Sequence, residues 1–306
     1  MTDTIRFVLF ALSDERIIGP LGMTRAGARH ETLYLDENHI TGHASTPDGT
    51  LEIIPFEEAS LPAAGQIVST GRDMTQWIRL MLNNGTIDGT MILSPKTVED
   101  IHAASFVAGP SGPLHDPNGA VGLGCDSYYF LDERVIEKNG ALDGVRSIVV
   151  LIPGKKSGIV VIANKQLTAF PEAVRDEFLE RYIGRSGIDL QALELQNQKG
   201  WNSLIKNPER PENPGPATIS PGAIEGVYAS PLYGIIQIDL GTDAEHMIIG
   251  LGPNRYQGNL VHWTDNTWYL SFPNPDDLVG YLTFIADESG TVTGIESNEF
   301  GPFTRA

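Results

Sequence analysis

The sequence predicts an α+β domain, an antiparallel sheet with helices, followed by a small all-β, barrel-like domain. Short strands in hairpin order precede a helix between residues 121 and 182, which is typical of an antiparallel α+β domain. A proline-rich stretch over residues 207–216 is unsuited to a helix or a central strand. Beyond Ile219, short apolar runs alternate with Gly, Pro, Asn and Asp, which favours a barrel or sandwich. The predicted boundaries are 1–190 for the first domain, 191–218 for the linker and 219–306 for the second domain.

The composition is that of a folded protein with an acidic surface. The chain has 306 residues, of which 41% are hydrophobic and 20% charged, and a formal net charge of −18. This charge argues against nucleic acids and anionic membranes as partners, because both require a basic surface. No apolar run is long enough to span a bilayer. The apolar start at residues 7–12 lacks a signal-peptide cleavage site, so the chain as written is expected to be cytoplasmic.

Two helices are predicted before the sheet. Apolar residues over 74–82 recur at helical spacing on one face, and Ser69 or Thr70 is the expected N-cap. A second helix is expected to begin at Ser94, with Pro95 in its first position.

Glycine-flanked strands follow these helices. The predicted strands are residues 121–130, 133–139, 145–152 and 159–164. Residues 170–182 then have the apolar spacing of a helix.

The triplet Lys138-Asn139-Gly140, at the end of a predicted strand, is the most informative local feature. A lysine beside a sheet edge can hold an anionic substrate group, and a neighbouring backbone N–H can form part of an oxyanion hole. The alternative interpretation is a plain β-hairpin with a solvated lysine.

Three segments carry a family resemblance through their order and spacing: residues 18–23, 64–74 and 140–147. They resemble the serine beta-lactamase-like family, which includes class C beta-lactamases, D-amino-acid peptidases, esterases and acyltransferases. Residues 225–228 and 260–263 are similar to the small lipocalin-like β domain appended to some of those peptidases.

The resemblance implies acyl-enzyme chemistry on a small-molecule or peptide acyl substrate, with no cofactor and no metal. Such enzymes use a Ser-x-x-Lys nucleophile, a Tyr-x-Asn or Ser-x-Asn motif and a Lys-Thr-Gly or His-x-Gly strand. Lys138, Asn139 and Gly140 align with the third motif, with asparagine in place of the commoner threonine. By the same alignment, Ala141 supplies the N–H to the oxyanion.

The other two motifs are not found where the family has them. The single Ser-x-x-Lys is Ser203-Leu204-Ile205-Lys206, after the predicted sheet domain, and no Tyr-x-Asn occurs. We therefore expect that the nucleophile-bearing N-terminal part is missing and that this chain alone is inactive. A partner chain supplying that part would cover an otherwise exposed sheet edge. The alternatives are a non-catalytic binding or regulatory protein on the same scaffold, or an acyltransferase of the family.

Other candidate sites carry less weight. His39 and His43 are four residues apart, as helical zinc ligands can be, but their context favours a loop. The single cysteine, Cys125, excludes an internal disulfide framework, and its Gly-Leu-Gly-Cys context is typical of a packed strand.

Overall fold

The computed structural model of the chain describes residues 9–46, 48–56, 62–204, 209–243, 246–252, 256–273, 279–297 and 299–306. The chain divides into two compact units, Met1–Lys206 and Asn207–Ala306. The first is a mixed α and β unit and the second contains a closed barrel, so the predicted fold class is confirmed.

Helices of the first unit lie before and after its main sheet. They are α1 (Pro62–Gly65), α2 (Gly71–Leu82), α3 (Pro95–His102), α4 (Phe170–Tyr182) and α5 (Leu190–Leu204). Residues 9–13 are also helical, and single turns of π or 3-10 helix occur at Asp14–Ile18, His30–Leu35 and Pro153–Lys155.

The main sheet has six strands in the order β10-β9-β8-β7-β6-β5, with antiparallel neighbours throughout. These strands are β5 (Phe106–Val107), β6 (Ala120–Val121), β7 (Asp126–Phe130), β8 (Glu133–Leu142), β9 (Val145–Ile152) and β10 (Ser157–Ala163). Two small hairpins join β1 (Gly42–Ser45) to β2 (Leu51–Ile54) and β3 (Thr86–Ile87) to β4 (Thr90–Met91).

Both faces of the main sheet are covered by helices. On one face, Ile136 and Leu151 belong to the same buried cluster as Ile78 and Met81 of α2. On the other face, strand residues pack with Leu179 of α4 and Leu190 of α5 in a second buried cluster. Side chains alternate between the faces along each strand, so neighbouring residues of β8 face different cores.

The sheet differs from the prediction at two turns. Residues 121–130 form two strands rather than one, because the chain turns at residues 122–125, where Gly124 has φ +83°. Strand β8 extends to Leu142, three residues beyond its predicted end. The β8–β9 turn is made by Asp143 and Gly144, both with positive φ, as in tight two-residue hairpins.

The predicted helix starts are confirmed. The Thr70 side chain accepts a hydrogen bond from the Asp73 backbone N–H at 3.1 Å, which caps α2. Ser94 caps α3 by accepting from the Thr97 N–H at 3.0 Å, and Pro95 is the first helical residue.

Replacing Thr70 with alanine should lower the free energy of unfolding by about 1 kcal/mol, because one N-terminal N–H of α2 loses its acceptor. Urea denaturation followed by circular dichroism measures the change. The matched control is Ser69→Ala, since the Ser69 hydroxyl makes only a long 3.5 Å contact with the Thr70 carbonyl. Equal losses in the two variants would contradict the cap.

The second unit contains a closed antiparallel barrel of eight strands in sequential order. The short helix α6 (Pro221–Ile224) precedes it. The strands are β11 (Gly226–Ser230), β12 (Gly234–Asp243), β13 (His246–Leu251), β14 (Tyr256–Thr264), β15 (Thr267–Ser271), β16 (Gly280–Ala286), β17 (Val292–Glu296) and β18 (Phe303–Arg305). Large side chains, among them Tyr228, Trp268 and Phe284, are buried in its core. Its likeness to a lipocalin domain stays a prediction.

The predicted linker range is partly helical. Helix α5 occupies the first part of the range 191–218, which the sequence assigns to a linker. Leu190 and Glu194 of this helix are buried, so it belongs to the core of the first unit. The predicted domain boundaries themselves stay predictions.

Candidate functional site

A cavity of about 600 Å³ opens beside the end of strand β8. Residues 137–143 of β8 and its turn line one side, and residues 64–69 line another. Met74, Trp77 and Met81 of α2 form much of its apolar wall. The cavity therefore joins a mostly apolar surface to the polar residues 138 and 139.

Strand β8 borders the cavity with an open edge. Its pairing with β7 ends at Glu137, opposite Asp126, whereas its pairing with β9 continues to Leu142, opposite Val145. Among the described strands, residues 138–142 are therefore paired with β9 alone. An open edge of this kind presents backbone N–H and C=O groups that an extended ligand can pair with.

The four predicted site residues all line this cavity. Lys138 and Asn139 are exposed, and neither side chain makes a hydrogen bond or an ion pair with another described residue. Lys138 is paired opposite Val149, which packs against the α2 core. At Gly140, an added Cβ would lie 2.7 Å from the Ser147 hydroxyl, so a side chain there would displace that group. The catalytic roles of Lys138, Asn139, Gly140 and Ala141 stay predictions.

Gln66 and His102 are among the polar lining residues of the cavity that the sequence analysis missed. Gln66 is buried, and its Oε1 has no hydrogen-bond partner among the described residues. Burial, and then the nearby charge of Arg134, lowers the pKa of His102. In the sequence, Gln66 follows Gly65 within an apolar run and carries no functional signal. Only the burial of its Oε1 without a hydrogen-bond partner in the described part of the chain suggests that it contacts a ligand.

Cys125 lines the cavity as a neutral thiol. It lies in the turn between β6 and β7 and not within a strand, contrary to the prediction. Its Sγ lies 3.0 Å from the Ile101 carbonyl and donates to it. Burial, and then the charge of Asp126, raises the pKa of Cys125, so the thiolate needed for nucleophilic attack is disfavoured.

A buried ion cluster lies on the far face of β8. Glu137, next to Lys138, accepts a hydrogen bond from the Tyr128 hydroxyl at 2.6 Å and pairs with Arg175 Nη1 at 3.2 Å. Arg175, on α4, also pairs with Asp176 at 2.7 Å and with Glu194 of α5 at 3.4 Å. Arg175 thus pairs with three buried carboxylates and links helices α4 and α5 to strand β8, which we call the site strand.

Protonation equilibria in this cluster are shifted. Burial, and then the Glu137 carboxylate, raises the pKa of Tyr128 well above its ordinary value. Burial opposes the charged form of Arg175, but Glu137 and its other neighbours raise the net pKa of this guanidinium. Burial raises the pKa of Asp176 to about 7, although Arg175 opposes the shift.

Several residues considered from the sequence lie away from the cavity lining. Ser203 is on α5, where its hydroxyl donates to the Gly200 carbonyl at 2.6 Å, and Lys206 lies outside the described residues. The Nδ1 atoms of His39 and His43 contact different carbonyls, those of Asp36 and Asn164. The described residues contain no group of three His, Cys, Asp or Glu side chains that could hold a metal ion. Within the same part of the chain, no helix is long and apolar enough to cross a membrane.

An antiparallel sheet with helices packed on both faces is the arrangement expected of a beta-lactamase-like fold. The chain belongs to the beta-lactamase family, since the family model "Beta-lactamase" matches residues 11–182. The resemblance seen in the sequence is thus confirmed at the level of the family.

Relatives and solved structures agree with this assignment. "Unguisins hydrolase ungD" of Aspergillus violaceofuscus is 25% identical over 271 residues, which cover 76% of this chain and 46% of that protein. "Protein Rv1367c" of Mycobacterium tuberculosis is 34% identical over 99 residues, 29% of this chain and 24% of that one. The octameric penicillin-binding protein homologue from Pyrococcus abyssi shares the fold, with 16% identity and a TM-score of 0.50. That comparison covers 97% of this chain and 60% of the archaeal one. The chain therefore spans about half the length, or less, of these curated relatives.

Proposed function

We propose that this chain supplies the substrate-binding strand of a serine acyl-enzyme site, in a hydrolase of the peptidase or esterase type. The observation that carries the proposal is the open edge of residues 138–142 beside the cavity. A peptide or similar acyl substrate can pair with this edge through main-chain hydrogen bonds. The fungal relative is named as a hydrolase, which supports hydrolysis as the reaction.

Each residue of the strand has a proposed role. The unpaired ammonium group of Lys138 attracts an anionic group of the substrate, or it stabilises the negative charge that develops in the transition state. The Ala141 N–H donates to the oxyanion that forms when the acyl carbonyl is attacked. Gly140 keeps the strand close to Ser147, where a side chain would clash.

We further propose that the nucleophile reaches the cavity on a segment outside residues 1–306, carried by the same polypeptide or by a partner chain. A serine needs a base within hydrogen-bond reach to attack. The one Ser-x-x-Lys of the sequence places Ser203 outside the cavity lining. The apolar wall formed with α2 would accept the helix that carries such a serine. On this proposal, residues 1–306 alone are inactive.

Residues 1–306 should form no covalent adduct with a fluorescent penicillin or a fluorophosphonate, as measured by intact-protein mass spectrometry. The physical reason is that, among the described residues, neither serine of the cavity lining, Ser69 or Ser147, makes a hydrogen bond with a basic side chain. An adduct that maps to a serine of this chain would show that the nucleophile is already present.

The role of strand β8 is tested in the longest polypeptide that is encoded together with residues 1–306. We expect that polypeptide to be acylated, and Lys138→Met to slow acylation on the order of 100-fold, as for the loss of one oxyanion-stabilising group. Lys199→Met, an exposed lysine on α5, is the matched control and should leave the rate unchanged. A longer polypeptide that binds these probes without acylation would favour the non-catalytic alternative.

A further inference from the structure

Three aromatic rings lie together on the outer face of the barrel, on three adjacent strands. Trp263 of β14, Tyr269 of β15 and Tyr281 of β16 have ring centroids 5.3, 5.4 and 5.6 Å apart, and we call them the aromatic cluster. Tyr269 and Tyr281 are directly opposite each other across β15 and β16. Their sequence neighbours Trp268, Leu270 and Leu282 are buried in the barrel core, so the cluster points outward.

A small cavity of about 360 Å³ continues from this cluster. Tyr281, Thr283 and Glu296 line it together with Ser297. Glu296, opposite Thr283 at the end of β17, is exposed, and its carboxylate makes no hydrogen bond or ion pair with any described residue. The site thus combines aromatic rings with a carboxylate that lacks a counter-charge.

The net negative charge of the second unit favours a cationic ligand. From residue 207 to the end, the sequence has no lysine and only three arginines, while Asp and Glu are several times more numerous. Of these arginines, Arg305 is already engaged, donating to the carbonyls of Ala223 and Glu225. A cationic ligand is therefore attracted to this surface, and an anionic one is repelled.

We propose that the outer face of β14–β17 binds a basic peptide segment, with an arginine or lysine side chain between Glu296 and the aromatic cluster. Aromatic faces attract cations through their quadrupole, and the effect strengthens when the cation is partly desolvated. The free carboxylate adds a charge-assisted hydrogen bond, which a guanidinium can make in bidentate form. This proposal rests on residues of the second unit alone and does not depend on the proposed serine acyl-enzyme site.

The test uses the whole chain and the peptide acetyl-Gly-Gly-Arg-Gly-Gly-amide, with binding followed by NMR titration of the tryptophan indole signals. A peptide with citrulline in place of arginine has nearly the same shape but no charge. We expect the arginine peptide to bind at least about fivefold tighter than the citrulline peptide. Glu296→Gln and Trp263→Ala should each weaken binding by about fivefold or more.

Matched variants separate this site from general attraction to an acidic protein. Glu288→Gln removes the same charge from an exposed residue between β16 and β17, outside the cavity lining, and should change binding by less than about twofold. Tyr281→Phe keeps the ring and should retain binding, whereas Tyr281→Ala should lose it. Equal effects of Glu288→Gln and Glu296→Gln, or equal binding of the two peptides, would overturn the proposal. Preferential binding of cellohexaose, a neutral glycan that can stack on aromatic rings, would also overturn it.

Discussion

Replacing Arg175 with methionine should lower the free energy of unfolding of the first unit by about 3–5 kcal/mol. The side chain of Arg175 is 7% exposed, and within the described part of the chain it is the cation that pairs with Glu137, Asp176 and Glu194. Methionine has a similar length but leaves these buried carboxylates without a counter-charge. Urea denaturation followed by circular dichroism at pH 8, where the carboxylates are most ionised, measures the loss.

The matched control for this prediction is Arg181→Met on the same helix. Arg181 is exposed and pairs with Glu177 four residues earlier, at 2.6 Å. Exposed pairs of this type contribute about 0.3–0.5 kcal/mol. If the two variants lost the same stability, the buried cluster would contribute no more than a surface ion pair.

The Arg175 variant also tests how the site strand is held. Glu137 immediately precedes Lys138, and its contacts with Tyr128 and Arg175 fix β8 where its pairing with β7 ends. Beyond that point, β9 is the one described strand that pairs with β8. The ion cluster therefore restrains the open edge from the face opposite the cavity.

The helices and most strands were predictable because their signals are local. Thr70 and Ser94 cap α2 and α3 through hydrogen bonds to residues three positions later, a spacing visible in the sequence. The end of β8 was harder to predict, because Gly140 is a typical turn residue. The pairing of β8 with β9 places the turn at Asp143 and Gly144, a dipeptide that is itself a hairpin signal but that competes with Gly140.

The cavity and the ion cluster could not be predicted, because both depend on contacts distant in sequence. Glu137 follows the apolar Ile136 in β8, so its side chain points to the opposite face of the sheet, and a carboxylate in that position normally faces water. Its partner Arg175 is 38 residues away, on a helix whose apolar positions alone gave no reason to bury a charge. The four residues 138–141 were predictable as site candidates, but Gln66 was not, since its significance comes from burial without a partner.

Replacing Asp176 with asparagine should stabilise the first unit at pH 8 and have little effect at pH 4. Asp176 is 1% exposed, and burial raises its pKa from 3.8 to about 7 in the folded chain. Arg175 opposes this shift, whereas Glu194 and Glu137, which face the same space, add to it. A folded-state pKa above the unfolded value means that the protonated form is the one favoured by folding. The resulting stabilisation is complete below about pH 4 and is lost as the pH rises to about 7.

Asparagine imitates the protonated carboxyl at every pH. Its Oδ1 can still accept from Arg175 Nε, which lies 2.7 Å from Asp176 Oδ1. A shift of about three pKa units corresponds to an upper limit of about 4 kcal/mol, and we expect a gain of about 2 kcal/mol at pH 8. Urea denaturation of the wild type and the variant at pH 4, 6 and 8 gives the difference directly.

The exposed Asp88, which pairs with Arg79 on the surface, provides the control variant Asp88→Asn. Its effect should be small and should not become more stabilising as the pH rises, because a solvated pair contributes little. If the stability difference between Asp176→Asn and the wild type is also independent of pH, ionisation of Asp176 does not destabilise the folded unit. Arg175 alone then neutralises the cluster. If the difference grows with pH as expected, the folded unit binds a proton near neutrality, one residue from the arginine that holds the site strand.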